Sequence, residues 1–579
     1  MAATGVPKRL RKKYQVTSRV KVRSQAPASR TLTVFAQDPS LTDRGRILTT
    51  SLRVPAEKVG PGPRGARIQV VDYDASTDRF YADHELFDES AQDRLRARSN
   101  DLRGDARFHA QNVYAIVMST LTRFESALGR RVHWAFPSHQ LKVAPHAFAE
   151  ANAYYSRRNE ALLFGYFQGS NGTVYSCLSH DVVAHETTHA LLDGLRSRLM
   201  EPSSPDQAAF HEAFADVIAL LSILAQPPVV SFALATVAGH GDLIPRKNLE
   251  PAALRKLFLV KLAEEMGHEM YGEKGGALRE SGEIVPDRHL LDRPEFQPAH
   301  RRGEVLVAAL LDAYLEVWHS RITSLGTPEG SVQRARAVED GVAAAERMIR
   351  SAIRALDYMP PVDVQFSDFL SALLTADFEI EPDDRLNLRS RIRTSFARYG
   401  IDPVKTGQSE LGTWDPPQHE VSYERSRFAS MQRDPDEVFR FIWENREALD
   451  IERDAYTFVQ DVRPSLRVGE DGFTLQETVA EYVQILTLRA DELKSVGIRQ
   501  PSGMPDYVSV RLYGGGTLIF NEYGQLKLHI GSGVRSRKQD GRLEYLWKSG
   551  AFDRRDEPSI AQLHRERRMD RVLRAKEGW

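Results

Sequence analysis

A chain of 579 residues exceeds what a single hydrophobic core supports, and at roughly 100 to 200 residues per domain it predicts several domains. Hydrophobic residues make up 41% and charged residues 27%, and 78 basic side chains nearly cancel 79 acidic ones, which excludes a global field aimed at nucleic acid or an acidic substrate. Cys177 is the only cysteine, so an intramolecular disulfide is excluded and a reducing compartment fits.

Residues 1 to 30 carry eight Lys or Arg by position 23 and no acid before Asp38. They read as a disordered basic tail, with contact to nucleic acid or membrane as the sharper alternative. No apolar stretch of signal-peptide length follows, no run of about 18 apolar residues occurs, and no inhibitory pro-segment is recognisable. The expectation is a cytoplasmic protein that does not enter a membrane.

From 31 to about 100, RTLTVFAQD, RILTTSLRV and RIQVVDYD alternate apolar and polar residues between turn residues and predict strands. FHAQNVYAIVMSTLTRFESALG, 108 to 129, has helical spacing and stops at Gly129. RVHWAF and ALLFGYF read as further strands. Helical patterns then dominate at 181 to 195, 204 to 225, 251 to 270, 302 to 323, 334 to 356 and 383 to 399. This organisation predicts a β-rich region over 31–180, a helical lobe over 181–402, a Pro- and Gly-rich linker over 403–420 and a small α+β domain over 421–579. In that last domain DPDEVFRFIWENREALD reads as a helix. DYVSVRLYGGGTLIFNEYGQLKLHI reads as two or three antiparallel strands, with GGG a glycine turn rather than a phosphate loop.

The stretch DVVAHETTHALLDGL carries the chemistry. On a helix His185 and His189 lie on one face and can each aim an imidazole nitrogen at one ion. Glu186, about 100° around the helix, can reach a metal-bound water without being a ligand. The next helix, SSPDQAAFHEAFADVIALL, opens with Ser204 as N-cap, Pro205 in the first turn and Gln207 to complete a capping box. It places Glu212 and Asp216 four apart among Phe210, Ala213, Phe214, Ala215, Val217 and Ile218. Buried acids need a partner, and one Zn2+ supplies it: Glu212 as third ligand completes a His2Glu set with an open fourth position, and Asp216 can hold the other ring N–H of a ligand histidine. His211, adjacent to Glu212, faces elsewhere and is not expected to ligate. His109, His133, His180, His240, His268 and His289 have no partner at useful spacing and read as surface or core residues.

HExxH on one helix with ExxxD on the next resembles the thermolysin-like gluzincins, a family of zinc peptidases, and the similarity covers about 108 to 402. NAYYSRRNEALLFGYFQG is similar to that family's substrate-binding edge strand, so the resemblance implies that Asn152 and Ala153 hydrogen-bond the substrate backbone. GGALRES implies that Arg279 grips the substrate carbonyl. PEFQPAHRRGEVLVAALLDAY implies that His300 stabilises the oxyanion, with Glu295 orienting it. FSDFLSALLTADFEI and NLRSRIRTSFARYGI look like the family's closing helices.

Four departures stand beside the match, one being that His211 precedes the third ligand where the family commonly has Asn. No tyrosine lies between His189 and Glu212, where the family usually has one. The acids of its double calcium site are replaced by the apolar VIALLSILAQPPVVSFALATVAGHGD, so calcium is not expected there. An extra stretch at about 248 to 270 separates Glu212 from Arg279.

The resemblance implies an α+β fold, with a thermolysin-like two-lobed peptidase followed by the small C-terminal domain. It also implies a zinc metallopeptidase, acting within peptide or protein chains, with Glu186 as general base. No nucleic-acid or membrane partner is expected. The alternative is a catalytically silent zinc-containing scaffold that binds a partner through its C-terminal domain.

Overall fold

The computed structural model describes residues 28–169, 172–201, 203–239, 242–258, 282–323, 330–384, 387–405, 411–469 and 472–552. The basic tail therefore lies outside the described residues apart from its last three, as does Arg279 and the second half of the helix expected over 251 to 270. Helix and strand are mixed along the chain, strand-rich first and helix-rich after residue 180.

The alternation in the N-terminal part is used as expected of strands with one buried face. Ser29–Phe35 and Thr49–Pro55 pair antiparallel with Leu32 opposite Leu52, and Thr50, Leu52 and Val54 point inward along the second strand. A five-stranded sheet follows. Gly172–Tyr175, Ala161–Gly169, Leu141–Phe148 and Ile68–Val70 lie in that order, and Ala153–Ser156 pairs with Ala161–Gly169 as well.

RVHWAF is not a strand. At Val132 side chains take the place of a ladder: Val132 N donates to Glu125 Oε1 at 3.2 Å and Val132 O accepts from Arg67. The strand of this region is Leu141–Phe148, masked in the sequence by Pro145.

Helix Ala106–Leu128 starts where Asp105 accepts from the backbone of Arg107 and Phe108, and it ends at Gly129 with φ 67°. Gly129 O accepts from Leu466 N at 3.0 Å, and the Leu466 backbone occupies the space where a Cβ of residue 129 would stand. One glycine thus ends a helix and lets a C-terminal strand approach it.

Helices His180–Leu195 and Pro205–Leu224 form the centre of the helix-rich part. Ser204 caps the second as expected, accepting from Gln207 N at 3.1 Å. Gln207 does not complete a capping box. Its amide donates to Arg198 O and Glu201 O and accepts from Val364 N, so tertiary contacts win over the local one. Pro205–Leu224 is, among the described residues, long and apolar enough to cross a membrane, although its sequence holds no unbroken apolar run; 89% of the apolar window is buried inside the fold, which makes it a core helix. Ala299–Thr323 packs on it, with Gly303 against Ala209 and Ala213. Arg334–Ala355, Phe366–Ile380 and Leu388–Arg398 complete the helix-rich part.

The stretch expected as a linker carries no helix or strand among its described residues, but it is fastened down. Trp414 Nε1 donates to Tyr358 O at 2.7 Å and Trp414 N to Thr375 Oγ1 at 2.9 Å. After helix Pro435–Glu444, four antiparallel strands run in chain order: Tyr456–Val468, Thr474–Arg489, Ser509–Phe520 and Leu526–Ser532. NEYG is a turn, with Gly524 at φ 83°. GGG is not a turn. Gly514, Gly515 and Gly516 lie inside the third strand, where a Cβ would meet the backbone of Val534, the carbonyl of Tyr482 and the rings of Tyr482 and His529.

Val479, Ile519, Leu528 and Ile530 of this sheet join the main core. A buried ionic seam lies at the same junction. Asp357 takes a two-pronged contact from Arg130 at 2.6 and 2.7 Å and pairs with Arg467. Glu477 pairs with Arg467 and with Lys527 at 2.8 Å, while Glu481 pairs with Arg463 and with Arg196 at 3.3 Å. Burial pushes the Asp357 carboxyl up, but Arg130, Arg467 and Arg463 outweigh it and hold the pKa well below the usual range.

Candidate metal centre

Two helices and one strand build the centre. Within His180–Leu195 the four-residue spacing puts His185 and His189 on one face, ring centroids 4.5 Å apart and planes nearly perpendicular, with the two Nε2 atoms 2.9 Å apart. Glu212 enters from Pro205–Leu224. Its carboxylate oxygens stand 3.8 Å from His185 Nε2 and 3.4 Å from His189 Nε2. One ligand atom from each of His185, His189 and Glu212 lies within 4.8 Å of the others, so this buried set could hold a metal ion. It is the His2Glu donor set that leaves a position for water on zinc.

Around these three a second layer fixes orientation. Asp216 Oδ1 sits 2.9 Å from His185 Nδ1, which keeps the proton on that nitrogen and turns the Nε2 lone pair to the centre. Burial works to lower the His185 pKa. Asp216, then Glu186 and Glu212, outweigh it and the net shift is upward, so the cluster favours positive charge at this point. His189 Nδ1 meets His211 Nδ1 at 2.8 Å with the two rings stacked at 4.7 Å.

His211 is not a ligand by its position on the helix, yet it reaches the centre through this contact. Adjacent helix positions face apart, yet the two nitrogens of one imidazole also face apart, so His189 is reached by Glu212 on one side and His211 on the other. A histidine immediately preceding the third ligand was the available signal.

Glu186 is 2% exposed, and its Oε2 accepts from Tyr155 N at 2.9 Å. Strand Ala153–Ser156 therefore runs along the HETTH helix and presents its backbone to the carboxylate. A second fastening lies two turns on, where Asp193 accepts from Tyr155 OH at 2.8 Å and from Arg157 Nε at 2.7 Å. Neither Tyr155 nor Asp193 was singled out in the sequence, because their pairing joins positions 38 residues apart.

The remaining expected residues divide. Asn152 and Ala153 stand at the start of this same strand, both buried. Asn152 Oδ1 accepts from Ala153 N, and Asn152 Nδ2 has no hydrogen-bond partner among the described residues. His300 is half-buried in the first turn of Ala299–Thr323, the helix whose Gly303 rests on Ala209 and Ala213 beside Glu212. Glu295 is 59% exposed and its ion partner is Arg293 at 3.7 Å, so the structure does not bring it to His300 as an orienting group. A surface arginine two residues away outcompetes a histidine five residues away. Arg279 lies outside the described residues.

No known family model matches this chain, and no curated protein matches it in sequence.

Proposed function

We propose that this protein is a zinc metallopeptidase of thermolysin-like, two-lobed layout that hydrolyses bonds within peptide or protein chains. The observation that carries the reading is the gathering of His185, His189 and Glu212 within 4.8 Å beside a buried Glu186 that the backbone of an adjacent strand holds at 2.9 Å. Histidine and carboxylate suit zinc, and a set of three protein donors is the composition of a catalytic rather than a closed structural site. When bound, zinc supplies a Lewis acid and a water acidified toward neutrality.

The chain's own groups do the rest. Glu186, desolvated and fixed by Tyr155 N–H, accepts a proton at its carboxylate and returns it to the leaving nitrogen. Asp216 and His211 hold the two imidazoles in the tautomers that the centre requires. Strand Ala153–Ser156 gives an extended substrate a backbone to align with, and the unsatisfied Asn152 Nδ2 is a buried donor that costs stability until an acceptor arrives. His300 serves as a donor to the developing oxyanion, a role commonly worth about 3 to 4 kcal/mol.

The test is hydrolysis of a mixed peptide library by the zinc-loaded protein beside its Glu186→Gln variant, with products read by mass spectrometry. Cleavage by the first alone supports the reading and reports the side-chain preference. If both proteins hold zinc in the centre and neither cuts, the peptidase reading fails.

A further inference from the structure

A second buried cluster gathers at the turn that precedes the HETTH helix, built from residues far apart in sequence. His109 comes from helix Ala106–Leu128, His146 from strand Leu141–Phe148 and Cys177 from the turn Ser176–Leu178 that leads into His180–Leu195. They are 2%, 4% and 0% exposed, and one ligand atom from each lies within 4.8 Å of the others. The rings of Tyr175 and Tyr81 wall the cluster, at 4.7 Å from His109 and 5.1 Å from His146 respectively.

The hydrogen bonds around the two histidines fix their tautomers. His109 Nε2 lies 3.0 Å from Arg103 O, a carbonyl that can only accept, so this nitrogen carries the proton. His146 Nδ1 lies 2.8 and 3.0 Å from the two oxygens of Asp72, so this nitrogen is protonated as well. The two remaining nitrogens, His109 Nδ1 and His146 Nε2, face each other at 2.8 Å. In neutral rings both are bare lone pairs, and two acceptors cannot satisfy one another. Something positive belongs between them. The Cys177 thiol lies within reach of both nitrogens, a third donor that a bridging proton would leave unused and a metal ion would take up.

We propose that His109 Nδ1, His146 Nε2 and Cys177 Sγ form a second metal site, which takes one zinc-class divalent ion and ties helix, sheet and the turn before the HETTH helix together. Imidazole and thiolate are the donors that zinc prefers. Each histidine already has its outer nitrogen anchored, by a carboxylate in one case and a backbone carbonyl in the other, as metal-ligating histidines almost always do. Charge also balances: a thiolate at Cys177 and a carboxylate at Asp72 together neutralise a divalent ion, so no net charge is left in the dry interior. Binding displaces the thiol proton to solvent and breaks no other bond.

Cobalt separates this site from the HETTH centre, because Cys177 is the only cysteine and a thiolate-to-cobalt charge-transfer band can arise nowhere else in the chain. The full-length protein, stripped by chelator and titrated with Co2+, is expected to take up about two equivalents and to show that band. A His185→Ala/Glu212→Gln variant should retain the band with about one equivalent. Cys177→Ser should lose it.

Should Cys177→Ser fail to fold, Asp72→Asn provides the second reading. It keeps all three ligands and is expected to show the same band at about 10- to 100-fold weaker cobalt affinity. Cobalt uptake by the wild-type protein without a thiolate band would overturn the proposal, as would a single equivalent that His185→Ala/Glu212→Gln abolishes.

Discussion

The HETTH centre and the Asp357–Arg467 seam are both buried and both made of ionisable groups, yet they are wired in opposite ways. In the seam each carboxylate meets a cation: Asp357 meets Arg130 and Arg467, Glu477 meets Arg467 and Lys527, and Glu481 meets Arg463 and Arg196. Its charges close on themselves. In the centre, two imidazole nitrogens stand 2.9 Å apart with Glu212 beside them, and Asp216 and Glu186 add further negative charge. Its charges converge on a point. Burial of polar groups is common to both, so burial alone does not separate a closed ionic cluster from one that could hold an ion; the arrangement of donors and acceptors does.

Substitutions can break this contrast. The largest effect is expected for Glu186→Gln, which should lower peptide turnover by about 10²- to 10⁴-fold while zinc content, read by elemental analysis, stays at the wild-type level. In the seam Asp357→Asn should cost about 3 to 5 kcal/mol of stability in denaturant titration, because Arg130 would lose its carboxylate and Arg467 would be left with Glu477 alone; peptide turnover of the folded fraction should be unchanged.

Asp216→Asn should weaken zinc binding at the centre by about 10- to 100-fold in competition with a chelator, since the amide no longer holds the His185 proton as a carboxylate does. A stability loss there as large as that of Asp357→Asn would erase the contrast.

The smallest expected effect comes from two buried histidines outside both clusters. Burial lowers His180 to about 3, and burial lowers His529 to about 4 against a weaker opposing pull from Asp450. The unfolded chain takes up protons at about 6.5 and the folded chain does not, so stability is intact above that pH and falls as the pH drops toward those values. Between pH 6.5 and 5.5 each should contribute roughly 1 kcal/mol of destabilisation. His180→Gln should flatten that slope in denaturant titrations run across the interval.

Much of the fold was legible because its periodicities are local. Helices Ala106–Leu128, His180–Leu195 and Pro205–Leu224 fall within two residues of the spans that apolar spacing and end signals predicted. The failures share one cause. RVHWAF looks like a strand, yet Val132 bonds the side chains of Arg67 and Glu125 rather than a neighbouring strand. GGG looks like a turn, and only the close approach of Tyr482, His529 and Val534 explains glycine within a strand. Gln207 looks like a capping residue, and the carbonyls of Arg198 and Glu201 claim its amide instead.

Short spacings along the chain are enough to pair His185 with His189, to place Glu186 beside them and to set the four-residue step from Glu212 to Asp216, because a helix converts such spacings into a common face. Tertiary structure decided what no local period encodes. It brought Tyr155 N–H to Glu186, His211 to the far nitrogen of His189, Arg293 rather than His300 to Glu295, and His109, His146 and Cys177 to one point. These contacts join positions set by how helices and sheet pack, and packing depends on the shape of the whole core rather than on any one stretch of chain.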